Sequence, residues 1–164
     1  PNVELCMKTL LPLGINFKAC SDPSHIPFKD EAFNPIINRH GNFNAKEIYR
    51  LLKNGGIFIT EQVGCDNDRD LVKMVKPFPD LRLSIQKKIF EKAGFHIIEG
   101  NEAYRPIKFY DVGAFIRFAH IIEWEFPGFS VDKCLEALLE MQKKIDETGE
   151  IEGTIHRYLI VAKK

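Results

Sequence analysis

The chain has 164 residues, the length of one ordinary domain, and 45% of them are hydrophobic, which is enough to build a globular core. Its 23 basic and 23 acidic residues cancel and are interspersed, so no basic surface for nucleic-acid phosphates is predicted. No apolar run approaches the roughly 20 residues of a membrane span, and no signal peptide is recognisable. We expect a single cytoplasmic domain, residues 1–164, that binds neither nucleic acid nor membrane.

The spacing of the cysteines gives no sign of a metal site. Cys6, Cys20, Cys65 and Cys134 lie far apart, with no C-x-x-C pair and no histidine at zinc-ligand spacing. We therefore predict no metal and interpret the cysteines as thiols in a reducing compartment.

The first twenty residues predict a helix and then a strand. Val3, Cys6 and Leu10 fall on one helical face, and Leu-Pro-Leu-Gly at positions 11–14 ends that helix. The segment from Ile15 to Cys20 alternates between apolar and polar side chains, which is typical of a strand.

Residues 33–63 carry the clearest pattern in the chain, a strand, a helix and a second strand. The first strand, residues 33–38, is short and apolar, and a polar loop follows it. Asn44 is positioned to cap the helix, with Glu47 three residues later, and Gly55-Gly56 ends it. Such a unit places its two strands parallel in one sheet.

The second half of the chain predicts one more helix and two more strands. The acidic loop 64–70 lacks the glycine and glutamate of a calcium loop, so we interpret it as a solvated helix start. Asp80 or Ser84 then caps a helix that leads to a strand from His96 to Glu99. The last strand, His156 to Lys163, is predicted to run antiparallel at or near the sheet edge.

The segment between these two strands, residues 104–153, predicts a structured insertion. It is far longer than a hairpin loop of about 2 to 5 residues. Asp111 and Ser130 are each positioned to cap a helix within it. We therefore predict a helical insertion, or cap, over residues 104–153.

Three pieces of the sequence together resemble class I S-adenosylmethionine-dependent methyltransferases. They are D-P-S-H-I-P-F at 22–28, F-N at 33–34 and R-L-L-K-N-G-G at 50–56, where the family commonly has D-x-x-x-L-P-F, F-D and R-x-L-K-P-G-G. Asn34 and Asn54 depart from that pattern, but Asn34 still hydrogen-bonds and Asn54 still ends a helix. The resemblance implies an α/β fold with a Rossmann-like, three-layer sheet that is mostly parallel and has an antiparallel last strand.

The family's Gly-rich loop is absent, since no G-x-G-x-x-G occurs in the sequence. The resemblance therefore implies an N-terminally incomplete domain that lacks the first two strands and keeps the third at residues 15–20. Unpaired sheet edges attract other strands, so we expect a homo-oligomer or pairing with the missing N-terminal half. We expect the isolated chain to be inactive.

The resemblance also implies which residues contact the cofactor, S-adenosyl-L-methionine. Asp22, Pro23 and Ser24 follow the expected third strand, where α/β sheets place their ligands, although an ordinary turn also explains these residues. Asn38 and Arg39 follow the central strand and are expected to contact the same cofactor. The alternative for this pair is bonding to the loop and to the cap of the next helix.

Four further residues are candidates for contact with the methyl acceptor. His40, directly after the central strand, is the candidate catalytic residue, as a general base with a pKa near neutrality. Its alternative is a role in the loop alone. Phe115, Arg117 and Trp124 of the insertion are candidates for substrate binding, but aromatic residues at helical spacing also fit a core.

The predicted function is transfer of a methyl group to a small-molecule acceptor. Methyl transfer depends on proximity and orientation more than on acid or base groups, so a weak catalytic signature is consistent with it. The first alternative is a non-catalytic remnant that binds or dimerises through its sheet edges. A second is a nicotinamide-dependent oxidoreductase, which the helix end at 50–56 and the acid before I-P-F disfavour.

Overall fold

The structure is a computed structural model that describes residues 2–71 and 82–164. In these two ranges, four strands form one sheet in the order β1-β2-β4-β3. The strands are β1 (Ile36–Arg39), β2 (Ile57–Val63), β3 (His96–Phe109) and β4 (Ile151–Lys163). The helices are α1 (Val3–Leu10), α2 (Ala45–Leu51), α3 (Leu83–Lys92), α4 (Val112–Ile121) and α5 (Leu135–Thr148), with a 3-10 turn at Leu11–Leu13.

The strand directions are those that the sequence predicts. β1 and β2 pair in parallel, with Ile36 opposite Phe58 and Arg39 opposite Glu61. β4 pairs antiparallel with both β2 and β3. α2 crosses between β1 and β2, and its N-terminus is capped by Asn44, whose side chain accepts from two backbone N–H groups. The predicted fold class, a mixed α/β sheet with an antiparallel last strand, is confirmed.

Helices α2 and α3 cover one face of this sheet. Alternate residues of β2 and β4 point to that face and are buried, whereas their neighbours in sequence are only half-buried. The core beneath the two helices consists of Ile48, Leu52, Phe58, Leu83, Phe90, Phe95, Tyr158, Ile160 and Ala162. On the opposite face Ile37 of β1 is 70% exposed, and α1 contains no buried residue. The described residues therefore supply two layers of the predicted three.

Residues 110–150 connect β3 to β4 and hold a second core. Asp111 caps α4 by accepting a hydrogen bond from the Ala114 N–H at 2.7 Å. The buried side chains of this core come from β3 and β4, from α4 and α5, from the turn after α4 and from the loop after β2. They are Leu71, Phe109, Phe115, Ala119, Phe126, Leu138, Ile145 and Ile151. Among the described residues, no helix is both long and apolar enough to cross a bilayer.

The structure differs from the sequence predictions at residues 15–20, at the bounds of the insertion and at the start of its second helix. Residues 15–20 form no strand, because the described chain offers them no partner for a backbone ladder. β3 and β4 extend to Phe109 and back to Ile151, so the insertion is shorter than the predicted 104–153. Ser130 bonds the Lys133 N–H at 3.3 Å, but α5 begins only at Leu135.

Of the two residues predicted to cap α3, Asp80 lies outside the described residues. Ser84 lies inside α3, whose N-cap position is occupied by Arg82 without a side-chain cap bond.

Candidate functional site

The carboxyl ends of β1 and β2 place polar side chains next to one another. Asn38 Oδ1 accepts hydrogen bonds from Gln62 Nε2 at 2.6 Å and from Thr60 Oγ1 at 3.3 Å. Gln62 also donates to the Gly41 carbonyl oxygen at 3.2 Å. These bonds tie the side chain of Asn38 to β2 and fix the orientation of its amide.

Arg39 and His40, which follow Asn38, both lie against Glu61 of β2. Arg39 Nε and His40 Nε2 are each 3.5 Å from Glu61 Oε1. His40 has a positive φ of 54°, a conformation that is uncommon for residues other than glycine. Burial lowers the pKa of His40, the positive charge of Arg157 lowers it further, and the charge of Glu61 opposes the shift. The ring is therefore mainly neutral at pH 7, which is the form that accepts a proton.

The predicted cofactor loop, residues 22–24, lies beside the N-terminus of α2. Asp22 Oδ1 accepts from the Ser24 N–H at 2.8 Å, and Asp22 Oδ2 lies 3.3 Å from His25 Nδ1. Asn44, the cap of α2, donates to Ser24 Oγ at 3.3 Å. The bond from the Ser24 N–H lowers the pKa of Asp22, and His25 adds to that shift. The turn that the sequence suggested is present, and the predicted cofactor contacts of Asp22, Pro23 and Ser24 stay a prediction.

An ion pair on α2 between the buried Glu47 and the partly exposed Arg50 anchors the segment that follows this loop. Glu47 accepts from Arg50 at 2.6 and 2.9 Å and from the Ile26 N–H at 2.8 Å. Arg50 also donates to the carbonyl oxygen of Phe28 at 3.0 Å and to Asp30 at 2.5 Å. Because Arg50 hydrogen-bonds its carboxylate, the pKa of Glu47 falls to about 2. The sequence suggested a capping role for Glu47, whereas the structure shows it holding residues 26–30 against the helix.

The loop after β2, which we interpreted from the sequence as a solvated helix start, contains buried polar residues. Asn67 Nδ2 donates to Asp68 Oδ2 and to Glu125 Oε2, both at 2.8 Å. Asn67 Oδ1 accepts from the His156 N–H at 2.9 Å and from Arg157. Glu125 and His156, which lie 58 and 89 positions from Asn67 in the sequence, therefore both hydrogen-bond to its side chain. The sequence feature that could have predicted this polar network is the run of acidic and amide residues directly after β2.

A second polar group surrounds the buried ring of His156 on β4. His156 Nδ1 accepts from the Asp66 N–H at 3.1 Å, and Nε2 lies 3.4 Å from Glu102 Oε1. The ring of Tyr104 stacks on it, with 4.3 Å between the ring centroids. The bond to Nδ1 favours the tautomer that carries its proton on Nε2, facing Glu102. His156 thus fixes the loop after β2 to the middle of the sheet.

Cys65, Asp66 and His156 offer potential metal ligands within 4.8 Å of one another. However, the Nδ1 lone pair of His156 is already used by the Asp66 N–H, and the Asp66 carboxylate accepts from Arg69 at 2.8 Å and from Tyr104 at 3.3 Å. These bonds already engage two of the three potential ligands, His156 and Asp66. We therefore assign no metal to this group.

The three predicted substrate-binding residues do not lie together on one surface. Phe115 has no exposed surface and packs edge-on against Phe109 and Phe126 in the core of the insertion. The structure therefore gives Phe115 a core position rather than one that a substrate could contact. Arg117 is exposed on α4, and Trp124 is 67% exposed on the turn after it. Substrate contact by these two residues stays a prediction.

Comparison with known proteins gives relatives in sequence and in structure. No protein-family model matches the chain. An uncharacterised protein of Methanocaldococcus jannaschii is 30% identical over 131 residues, a match that covers 75% of this chain and 56% of that protein. This chain thus corresponds to little more than half the length of its curated relative.

Solved structures resemble this chain over nearly its whole length. A proposed methyltransferase from Bacillus halodurans superposes with a TM-score of 0.62 at 16% identity, covering 99% of this chain and 78% of that one. The [4+2]-cyclase SpnF superposes with a TM-score of 0.54 at 17% identity, covering 99% of this chain and 62% of that one. The chain therefore has the fold of class I S-adenosylmethionine-dependent methyltransferases. That fold also carries other chemistry, as the cyclase shows.

Proposed function

We propose that this chain forms part of an S-adenosylmethionine-dependent methyltransferase that acts on a small-molecule acceptor. The observation that carries the proposal is the sheet order β1-β2-β4-β3 with its one antiparallel strand, together with Asn38, Arg39 and His40 at the carboxyl end of β1. Ligands of open α/β sheets bind at this end of the strands.

The residues take the following roles in the proposed reaction. Asp22, Pro23 and Ser24 bind the nucleoside of S-adenosyl-L-methionine. Asn38 and Arg39 contact the methionine and adenosine side of the same cofactor. The cofactor supplies a methyl group on a positively charged sulfur. The chain's own contribution is to hold the acceptor in line with that methyl group, which is a matter of orientation.

His40 accepts the proton that the acceptor loses. Its lowered pKa keeps the ring neutral, and Glu61 at 3.5 Å stabilises the ring once it is protonated. Arg117 and Trp124, the exposed candidates on the insertion, contact the acceptor from the opposite side.

The proposal includes further polypeptide that covers the second face of the sheet. Ile37 is 70% exposed on that face, and the chain matches only 56% of the length of its curated relative. We expect the 164-residue chain alone to be inactive, and a longer form or a partner to complete the cofactor site.

Calorimetric titration with S-adenosylhomocysteine tests this function on a form of the protein that includes the covering polypeptide. We expect a dissociation constant of about 1 µM, and at least about a tenfold weakening in Asp22→Ala. Asp132→Ala, which removes an exposed acid of the insertion, should leave the affinity unchanged. Absence of binding by the longer form would reject the proposal.

The second candidate is a non-catalytic binding or dimerisation module. The observations that favour it are the exposed Ile37 and the outer edge of β1, which pairs with no strand of the described residues. Both are able to accept another polypeptide. This candidate predicts stable association without S-adenosylhomocysteine binding, so the same titration distinguishes the two.

A further inference from the structure

Two buried carboxyl groups join the insertion to the loop after β2. Asp68 in that loop is 1% exposed, and Glu125 on the turn after α4 is 5% exposed. Asn67 bridges them by donating to one oxygen of each, at 2.8 Å in both cases. The other oxygen of Asp68, Oδ1, is buried without a hydrogen-bond partner in the described part of the chain.

A single shared proton resolves this arrangement. Two carboxylates cannot both stay charged at close range in a buried site without a large cost in free energy. If one of them is protonated, its O–H donates to the other, and the unpartnered oxygen gains a bond. We infer that Asp68 and Glu125 form a one-proton clamp that holds the helical insertion against the loop after β2.

The surrounding contacts make this clamp a junction of three parts of the fold. Next to Glu125, Phe126 is 1% exposed in the core of the insertion, so the turn that carries Glu125 is fixed by packing. On the other side, the Asp68 N–H donates to the Thr154 carbonyl oxygen of β4 at 2.6 Å. Asn67 connects both acids to the backbone of β4 through the His156 N–H. Opening the clamp therefore releases the turn that carries Glu125 from the loop after β2.

The charged groups around the clamp come from β4, from the loop after β1 and from its own loop. Arg157 of β4 bonds Asn67 and lowers the pKa of Asp68, while burial and the neighbouring Glu125 raise it to about 8. The charge of Glu125 also acts on His40. Among the described residues, three further titratable groups nearby have other partners: Asp66 accepts from Arg69, Asp70 accepts from Thr154, and His156 accepts from the backbone N–H of Asp66.

The raised pKa of Asp68 determines whether the clamp closes or opens as the pH rises. The closed clamp holds a proton that the open form, with ordinary carboxyl groups near pH 4, releases. Closure is therefore fully favoured below about pH 4, weakens as the pH rises toward about 8, and changes little above it. Each unit of pH within this window shifts the opening equilibrium by up to about tenfold. This behaviour does not depend on whether the chain transfers methyl groups.

Hydrogen exchange on the 164-residue chain tests the clamp. We propose to follow the amides of residues 64–71 and 122–129 from pH 5 to pH 8, correcting each rate for the intrinsic pH dependence of exchange. For the native sequence we expect the opening equilibrium of both segments to rise together by at least about tenfold. Trp124, the single tryptophan of the chain, reports the same opening by fluorescence because it lies next to Glu125.

Asp68→Asn and Glu125→Gln supply the decisive variants. Each places an amide N–H where the shared proton lies, so the contact persists without a titrating proton. We expect both to remove the pH dependence and to exchange more slowly than the native chain at pH 8. Asp70→Asn and Glu123→Gln, which change exposed acids in the same two segments, should keep the native pH dependence.

Two results would overturn the inference. The first is an opening equilibrium that does not change in the native chain between pH 5 and pH 8. The second is the same pH dependence in Asp68→Asn and Glu125→Gln as in Asp70→Asn. If one variant fails to fold, the other gives the same comparison.

Discussion

The ring of His156 packs directly against the backbone of Gly64, at the point where β2 ends. A Cβ atom built on Gly64 would lie 2.2 Å from both Cε1 and Nδ1 of that ring. The Gly64 N–H also donates to the His156 carbonyl oxygen at 3.0 Å, so neither residue is able to move away without losing this bond. A side chain at position 64 is therefore excluded by the ring.

Gly64→Ala should destabilise the fold by about 2–3 kcal/mol, because the methyl group overpacks a buried site. Urea unfolding followed by circular dichroism measures the loss. The matched control is the double variant Gly64→Ala/His156→Ala, compared with His156→Ala alone. In that background the cost of the alanine should fall below about 1 kcal/mol. Equal costs in the two backgrounds would show that the ring is not the obstacle.

Glu47→Gln should destabilise the chain at neutral pH because it removes the charge that binds Arg50 and holds residues 26–30. Since the pKa of Glu47 is lowered to about 2, its contribution is present above about pH 4.5 and is lost as the pH falls toward 2. We expect a difference from the native chain of about 1–3 kcal/mol at pH 7, shrinking to near zero at pH 2. Unfolding at a series of pH values measures it. Glu140→Gln, on an exposed face of α5, should show no such trend.

The parts of the fold that the sequence predicted are those with local causes. The first strand, α2 and β2 follow each other within about thirty residues, and Asn44 caps α2 as its position indicated. Residues 15–20 alternate like a strand but form none, because a strand also needs a partner for its backbone groups. Residues 104–109, which include Pro106, were assigned to the insertion, whereas the structure shows that they continue β3 in its pairing with β4. Since β3 is an edge strand, it tolerates a proline.

The residues of the candidate site were predictable only where they lie at, or directly after, the end of a strand. Asn38, Arg39 and His40 were placed at the carboxyl end of β1 by their position alone, and the structure puts them there. The Asn67 network joins residues that are distant in sequence, Glu125 and His156 among them, and no local periodicity reports such contacts. Phe115 shows the converse, since its helical spacing fitted a core position as well as substrate binding, and the structure places it in the core.

His40 should titrate below its ordinary pKa of 6.5, because burial and Arg157 both disfavour the charged ring. Nuclear magnetic resonance of the His40 ring protons measures this pKa. Glu61→Gln removes the carboxylate 3.5 Å from Nε2 and should lower the pKa further. Arg39→Gln removes a like charge and should raise it. Glu99→Gln on β3, two strands beyond β2, should leave the pKa unchanged. A rise in Glu61→Gln would contradict this electrostatic account.

Asn44→Ala should cost about 1 kcal/mol, because Asn44 Oδ1 accepts from the N–H groups of Lys46 at 3.0 Å and Glu47 at 3.2 Å. Asn44→Ser keeps a side-chain acceptor at the cap and should cost less than half as much. Lys46→Ala, at an exposed position of the same helix turn, should be neutral. Thermal unfolding ranks the three variants. A loss in Asn44→Ser as large as in Asn44→Ala would assign the effect to another contact of Asn44, such as its bond to Ser24.

The 164-residue chain should self-associate through the sheet face that carries Ile37. Ile37 is 70% exposed on β1, an edge strand of the sheet that residues 2–71 and 82–164 form, and burial of such a side chain against another chain is favourable. Ile37→Lys places a charge on that face without disturbing the core and should weaken association by at least about tenfold, equal to about 1.4 kcal/mol. Light scattering over a range of concentrations measures the shift. Leu13→Lys, at a 73% exposed position of the 3-10 turn, is the control and should associate like the native chain. A native chain that stays monomeric at its highest soluble concentration would contradict the prediction.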